Sequence, residues 1–313
     1  MQLTEGKASA YVGPMIESAP ASQRLPSASS PSWAVVSRLL RLKSQTGTLL
    51  LLLPTLWSLT LAAGGIPPWQ LILVFSLGSF LMRSAGVVLN DLADRSFDRH
   101  VARTQERPLA SRELSPIHAL LILTLLLVLA ALLLLSLNSL TLFLSPIALL
   151  LAALYPFAKR VIHLPQAALG IAFGWGTIMA WTAARGTIDV PAWFIFAATA
   201  CWAVGYDTIY ALQDREDDRR IGVKSSALLF GPFVWLAVGV SVTAMVVLLG
   251  ITGWLMQIGW FFYGMLAAVT VFCLRQTLAL RNSILPQQAF HMFHQHVWVG
   301  FAILAGLIGG FLL

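Results

Sequence analysis

Charged residues are scarce in this chain, and their scarcity excludes most soluble folds. Only 11% of the 313 residues are Asp, Glu, Lys or Arg, whereas 58% are hydrophobic. A soluble domain carries about 25% charged residues. The chain has two cysteines, so a disulfide framework is not expected. It also lacks a glycine-rich phosphate loop, which argues against a nucleotide-binding fold.

Long uncharged runs dominate what is present. A membrane-spanning helix needs roughly 20 apolar residues, and several of the runs are long enough for two helices separated by turn residues. These lengths predict an all-α integral membrane protein, a nine-helix bundle without a separate soluble domain. The predicted helices are 46–63, 69–89, 117–135, 140–157, 165–184, 191–212, 230–251, 257–275 and 290–312.

The N-terminal segment differs from the rest of the chain. It is rich in Ser, Ala and Pro and has no apolar stretch of the kind found in secretory signals. We predict a disordered extension over residues 1–37 and a transmembrane domain over residues 38–313. A mitochondrial presequence is an alternative, although Glu5 and Glu17 weigh against it.

The basic residues predict the orientation. Eighteen of the twenty Lys and Arg fall in the N-terminal segment, in the loops after the even-numbered predicted helices, or beside those loops; Arg83 and Arg185 are the exceptions. Because basic residues favour the cytoplasmic side, we expect a bacterial inner-membrane protein with this side in the cytoplasm. The net charge of +7 then reflects topology and contact with membrane lipid, and nucleic acid is not an expected partner.

The few acidic residues are concentrated at two places. Ten of the thirteen lie within residues 91–113 and 207–218. Helical offsets of three, four and seven residues share a face, so each segment can present several carboxylates in one direction. Carboxylates this dense repel one another unless a cation neutralises them, and oxygen-only ligands suit Mg²⁺. The pattern therefore predicts a paired magnesium site at the membrane surface.

Basic residues closely follow the aspartates of each acidic segment. Arg103 and Arg107 come after Asp98, and Lys224 comes after Asp218. Mg²⁺ bridges carboxylate and phosphate oxygens, and neighbouring cations bind the remaining anionic oxygens. Together the two segments indicate a site for a metal-bound diphosphate.

These motifs resemble those of the UbiA superfamily of intramembrane prenyltransferases, over about residue 38 to the C-terminus. The first motif runs from Asn90 to Leu109 and the second from Tyr206 to Ser225. Three further segments resemble the branch that prenylates 4-hydroxybenzoate: Leu53-Pro54-Thr55-Leu56-Trp57, Tyr155-Pro156-Phe157-Ala158-Lys159-Arg160 and Leu164-Pro165-Gln166.

The resemblance implies a bundle with a central cavity and an aromatic prenyltransferase. Such an enzyme transfers a prenyl group from a prenyl diphosphate donor to an aromatic acceptor. In the branch that this chain resembles most, the acceptor is 4-hydroxybenzoate and the pathway is ubiquinone-type biosynthesis. It implies two Mg²⁺ ions that bridge the diphosphate. The implied metal ligands are Asn90, Asp91, Asp94, Asp98, Asp214 and Asp218, of which the five aspartates are also the implied catalytic residues. The implied substrate-binding residues are Asn90, Arg103, Arg107, Arg160, Lys224, Tyr210 and Asp207.

One departure leaves the acceptor open. The 4-hydroxybenzoate branch usually has Asp-Lys-Pro-Ile-Gly where this chain has Lys43-Ser44-Gln45-Thr46-Gly47. Because this stretch lies near the acceptor pocket in the family, a quinolone or naphthoate acceptor is the alternative.

Two other classes of membrane protein are less consistent with the motifs. A lipid phosphotransferase would also use Mg²⁺ and clustered aspartates, but the pattern Asp-Gly-x-x-Ala-Arg, which is usual in that class, is missing from this chain. A cation transporter would bury lone acids in mid-helix, without the arginines that follow them here.

Overall fold

The computed structural model describes residues 32–99, 101 and 104–313, and within these ranges the chain forms helices. The twelve α-helices are α1 Trp33–Leu39, α2 Thr46–Ala63, α3 Trp69–Asp98, α4 Pro116–Leu134, α5 Ser139–Val161, α6 Pro165–Arg185, α7 Val190–Ala211, α8 Arg215–Ile221, α9 Ser226–Phe230, α10 Val234–Leu255, α11 Trp260–Ala279 and α12 Pro286–Leu312. A short 3₁₀ turn, Gly231–Phe233, joins α9 to α10.

The described part of the chain contains nine segments that are long and apolar enough to cross a membrane. They are α2 to α7, the segment Ser226–Leu255 that contains α9 and α10, α11, and α12. The predicted nine-helix membrane fold is therefore confirmed.

The ends of the helices are set by local signals. Asn138 accepts a hydrogen bond from the Thr141 amide at the start of α5, and Gly186 ends α6 with a left-handed φ of 73°.

Three predicted boundaries need correction. Helix α3 continues nine residues beyond the predicted end at position 89, because a backbone helix does not need apolar side chains once it leaves the membrane core. Gly253 falls between the predicted helices 230–251 and 257–275, where a glycine indicates a turn, yet it lies inside α10, where a Cβ would collide with Phe262 of α11. The chain turns at Gln257, with a φ of 54°. Helix α1 starts at Trp33, so residues 33–37 of the predicted disordered extension are helical. The rest of that predicted extension, up to residue 31, lies outside the described residues.

The bundle core contains two large tryptophans whose indole N–H groups are paired. Trp57 and Trp202 are fully buried, with ring centroids 4.9 Å apart. Trp57 Nε1 donates to the Gly300 carbonyl oxygen at 2.9 Å, and Trp202 Nε1 donates to His296 Nδ1 at 3.0 Å. These bonds tie α2 and α7 to α12, and they satisfy donors that no water could reach.

The direction of the helices positions the site. Successive spans run in opposite directions, so α3, α5 and α7 end on the same side of the membrane. The acidic segment of α3, the basic end of α5 and the segment after α7 therefore meet at one end of the bundle. Close packing of α6 and α7 supports this arrangement: a Cβ on Gly170 would lie 2.7 Å from the Ala200 carbonyl oxygen.

Candidate active site

A large cavity of about 1150 Å³ opens between the helices. One part of its wall is charged and the remainder is apolar. The apolar wall includes Phe75, Leu134, Leu149, Leu169, Phe173 and Met179. The charged wall includes Arg41, Asn90, Asp94, Asp98, Arg107, Lys159, Arg160, Asp207, Asp214, Asp218 and Lys224. The cavity can therefore hold a molecule with an anionic head and a long apolar tail.

Asp94 is the most buried carboxylate on this wall. Its side chain is 1% exposed, and it forms an ion pair with Lys159 from the end of α5. Arg160 Nη2 lies 3.7 Å from Asp94 Oδ1 and donates to the carbonyl oxygen of Ala93 at 2.6 Å. Among the described residues, Asp94 Oδ1 accepts no hydrogen bond although it is buried. A buried carboxylate oxygen without a donor has the chemistry of a metal ligand.

Two arginines neutralise the other carboxylates of α3. Arg107 Nη1 donates to Asp98 Oδ2 at 2.8 Å and to Asp91 Oδ1 at 3.0 Å, and Arg41 Nη2 donates to the same Asp91 oxygen at 3.0 Å. Burial lowers the pKa of Arg41, and the neighbouring Asp91 carboxylate acts in the opposite direction. The guanidinium of arginine keeps its charge in proteins.

The second acidic motif also lines the cavity. Asp214 occupies the N-cap position of α8, and Gly222 ends that helix with a φ of 73°. Asp218 also lines the cavity, whereas Glu216 is exposed and does not. Lys224 Nζ donates to the carbonyl oxygen of Val161 at 2.8 Å, which brings it beside the basic end of α5. The two motifs therefore face one space, as the resemblance implied.

The carboxylates are not gathered around one point. Within the described ranges, no three His, Cys, Asp or Glu side chains lie close enough to share a metal ion. The donor chemistry nevertheless fits Mg²⁺, because the wall offers carboxylate and amide oxygens, and the buried Oδ1 of Asp94 accepts no hydrogen bond from the described residues.

The predicted site residues have three outcomes in the structure. Most of them line the cavity: Asn90, Asp94, Asp98, Arg107, Arg160, Asp207, Tyr210, Asp214, Asp218 and Lys224. Asp91 does not line it and is 2% exposed beneath its two arginines. Arg103 lies outside the described residues. The ligand roles of all of these residues stay predictions.

Sequence reasoning missed two cavity residues, Arg41 and Lys159. Both were counted only as basic residues of the predicted cytoplasmic side. Lys159 stands beside Arg160 in a segment that carries the resemblance, so its position was the available signal. For Arg41 the sequence gives no comparable signal, because it shows only a basic residue just before the first span. Its partner, Asp91, lies fifty residues away in the chain.

Arg83 is a further cation of the cavity wall, inside the membrane span of α3. Its guanidinium packs against Gly47, where an added Cβ would collide with it. None of the described carboxylates forms an ion pair with it within 4.0 Å, so Arg83 does not neutralise a carboxylate of the first motif in this structure. A cation in a membrane span is usually functional because its burial is unfavourable.

Comparison with known proteins decides the family. The model of the UbiA prenyltransferase family matches residues 51–310. The chain belongs to this family. Members similar to it include the 4-hydroxybenzoate octaprenyltransferase of Thiobacillus denitrificans, with 46% identity over 90% of this chain and 95% of that protein. The protein of the same name from Coxiella burnetii, strain CbuK_Q154, is 43% identical over 87% of this chain and 94% of its own.

Solved structures of UbiA proteins share the fold. The apo structure of a UbiA homolog from Aeropyrum pernix K1 superposes with a TM-score of 0.71 and 26% identity, over 83% of this chain and 97% of that one. A UbiA homolog from Archaeoglobus fulgidus, bound to GPP and Mg²⁺, has a TM-score of 0.59 and 18% identity over 88% of this chain and 99% of its own. At that identity the second likeness supports the fold alone.

Proposed function

We propose that this UbiA protein transfers a prenyl group from a prenyl diphosphate to the carbon of 4-hydroxybenzoate that is ortho to the hydroxyl group. One observation carries the proposal: both aspartate motifs and the basic end of α5 line one part of a cavity whose other walls are apolar. The relatives named 4-hydroxybenzoate octaprenyltransferase, at 43–46% identity over nearly their whole length, support the acceptor.

The charged wall would bind the diphosphate. Mg²⁺, in our proposal two ions, would be held by Asn90, Asp94 and Asp98 on one side and by Asp214 and Asp218 on the other. When bound, Mg²⁺ neutralises the charge that develops on the departing diphosphate. The Archaeoglobus fulgidus homolog, which has the same fold, was solved with GPP and Mg²⁺ bound.

The cations of the wall assist departure of the diphosphate. Lys159 and Arg107 are bound to carboxylates in this structure, and each retains further N–H donors for phosphate oxygens. The allylic C–O bond breaks, and its electron pair leaves with the diphosphate. The apolar wall holds the isoprenoid chain and keeps water away from the allylic cation, which water would otherwise trap.

The acceptor side of the cavity is proposed to lie around Arg83 and Asp207. Arg83 is our candidate for the acceptor carboxylate, because it lines the cavity and is not paired with a described carboxylate. A ring π-electron pair forms the new C–C bond, and the proton on that carbon then leaves to restore aromaticity. Asp207 also lines the cavity and forms no ion pair with a described cation, so it is our candidate to accept a proton.

The altered stretch at the start of the first span supports a second candidate acceptor. Ser44 and Thr46 line the cavity, and Thr46 Oγ1 lies 2.8 Å from His294 Nδ1. Residues that differ from the 4-hydroxybenzoate branch therefore border the space for the acceptor. A quinolone or naphthoate acceptor is the second candidate on this observation.

Location and orientation complete the proposal. The protein is an integral membrane protein, and its relatives are bacterial. We place it in the bacterial inner membrane, in contact with membrane lipid and with the charged wall towards the cytoplasm.

An acceptor panel tests the proposal. Purified protein in lipid nanodiscs is given geranyl diphosphate, Mg²⁺ and, one at a time, 4-hydroxybenzoate, 4-hydroxybenzamide, a hydroxynaphthoate and a hydroxyquinolone. We expect a prenylated product from 4-hydroxybenzoate and a much slower reaction with the amide, which lacks the carboxylate charge. Turnover of the quinolone or naphthoate alone would move the second candidate to first place, and no product from any aromatic would contradict aromatic prenyl transfer.

A further inference from the structure

Asp91 stands apart from the other carboxylates of the first motif. At 3.6 residues per turn, Asn90, Asp94 and Asp98 share one side of α3, and Asp91 lies at the edge of that arc. Its side chain does not line the cavity, and its Oδ1 accepts hydrogen bonds from both Arg41 and Arg107 at 3.0 Å. The two arginines, in contrast, do line the cavity.

We propose that Asp91 is a positioning residue that holds Arg41 and Arg107 for the donor diphosphate and is not a metal ligand. This inference rests on the proposed function, because it assumes that a diphosphate binds at the charged wall. It corrects the ligand set implied by resemblance, in which Asp91 belonged with Asp94.

The placement of Arg41 is built into the fold. Leu39, at the end of α1, is fully buried and packs in a cluster with Val88 and Leu109. The next residues turn sharply, and Arg41 has a φ of 53°, a left-handed conformation that is unfavourable for a residue with a Cβ. Such a conformation persists only when its surroundings determine it, and it occurs most often at functional sites.

A glutamine secures this turn. Gln45 Nε2 donates to the carbonyl oxygens of Arg41 and Leu42, both at 3.2 Å. Gln45 Oε1 in turn accepts from Thr48 Oγ1 at 2.7 Å. Gln45 belongs to the stretch that differs from the 4-hydroxybenzoate branch, so in this chain part of that stretch serves to fix Arg41.

Arg107 reaches the same carboxylate from a different segment. It lies in the connection between α3 and α4, is 18% exposed, and bridges Asp91 and Asp98. Two guanidinium groups repel each other unless an anion lies between them, and Asp91 supplies that anion. Each arginine has five N–H donors, so the bond to Asp91 leaves donors for phosphate oxygens.

A metal ion at Asp91 Oδ1 would conflict with these contacts. Its Oδ1 already accepts from two cationic donors, so an ion at that oxygen would have to displace both arginines. Asp94 is the opposite case, since it lines the cavity and its buried Oδ1 accepts no hydrogen bond from the described residues. Two carboxylates three positions apart therefore have different tasks.

Binding of an unreactive donor analogue separates the two tasks without relying on turnover. Geranyl thiolodiphosphate is titrated calorimetrically into nanodisc-embedded protein, once with saturating Mg²⁺ and once with EDTA. The factor by which Mg²⁺ strengthens binding is compared for wild type, Asp91→Asn and Asp94→Asn. Arg38→Gln is the matched control, because Arg38 is a neighbouring cation that pairs with the exposed Glu113.

We expect Asp91→Asn to weaken analogue binding about 10–100-fold in both conditions and to keep the Mg²⁺ factor of the wild type. Asp94→Asn should lose most of that factor, and Arg38→Gln should match the wild type. Arg41→Gln should also weaken analogue binding, by a smaller factor than Asp91→Asn. The double variant should weaken binding by less than the product of the two single-variant factors. Because Arg41→Gln leaves the buried carboxylate in place, it also tests the proposal if Asp91→Asn does not fold.

Two results would overturn the inference. If Asp91→Asn lost the Mg²⁺ factor while its affinity in EDTA stayed at the wild-type value, Asp91 would be a metal ligand. If Asp91→Asn and Arg41→Gln both bound the analogue as wild type does, the arginines would have no part in diphosphate binding. A wild-type protein that binds no analogue in either condition would instead contradict the proposed function itself.

Discussion

Replacing Asp94 by Asn should abolish most turnover while it leaves the fold intact. Asn keeps the shape of the side chain and removes its charge. Asp94 is 1% exposed, so its charge acts in a medium of low dielectric constant, where screening by water is weak. Its two cationic partners, Lys159 and Arg160, are 32% and 40% exposed. Water can solvate these cations when the carboxylate is lost.

The magnitude follows from this difference in burial. With donor and Mg²⁺ bound, the loss of one buried charge partner costs on the order of 3–5 kcal/mol, which corresponds to a decrease in turnover of about 10²–10⁴-fold. Without ligand, the half-exposed partners limit the loss of folding stability to about 1 kcal/mol or less. A large loss of activity should therefore accompany a small change in melting temperature.

The assay measures diphosphate release and prenylated product from geranyl diphosphate and 4-hydroxybenzoate, beside a thermal unfolding scan of each variant. Glu216→Gln is the control, because Glu216 belongs to the second acidic segment but is exposed and does not line the cavity. The control should retain wild-type turnover. An Asp94→Asn protein that keeps turnover within tenfold of wild type would refute the reasoning.

Three further predictions concern the acceptor, the orientation and the packing. Arg160→Ala should reduce turnover of 4-hydroxybenzoate and of 4-hydroxybenzamide by equal factors, because Arg160 is bound at Asp94; a selective loss with the carboxylate would assign it to the acceptor. In a background without native cysteines, a cysteine in place of Gln105 should react with an impermeant maleimide from the cytoplasmic side, and one in place of Ile66 only from the other; the reverse would contradict the orientation. Gly170→Ala should destabilise the protein by about 1–3 kcal/mol, because its Cβ would meet backbone of the facing helix, whereas Gly264→Ala has open space and should not lower the melting temperature in detergent. Equal melting temperatures for these two variants would refute the packing argument.

The membrane fold was largely predictable because the bilayer imposes a strong length rule. The bounds of α2 are those predicted from hydropathy, and those of α6 differ by one residue. Hydropathy does not predict where a helix ends once the chain has left the lipid. Helix α3 continues through its charged residues, because hydrogen bonding along the backbone decides where a helix ends. Gly253 shows the same limit, because a glycine at a helix contact and a glycine in a turn look alike in sequence.

The residue types of the site were also predictable, but their partners were not. The spacing of Asn90, Asp94 and Asp98 puts them on one side of a helix, and all three line the cavity. That Asp91 turns to Arg41 depends on how α1 packs beside α3, a contact between segments fifty residues apart. The resemblance therefore grouped Asp91 with the metal ligands, whereas in the structure its Oδ1 accepts hydrogen bonds from Arg41 and Arg107.

The most direct test of the central claim is the identity of the product and its dependence on Mg²⁺. Purified protein in nanodiscs is given geranyl diphosphate and 4-hydroxybenzoate, and product and diphosphate are quantified together by mass spectrometry and a coupled assay. The account predicts one C-prenylated 4-hydroxybenzoate, substituted ortho to the hydroxyl, for each diphosphate released, with both lost in EDTA and restored by Mg²⁺. Diphosphate release without prenylated product, or full turnover in EDTA, would contradict it.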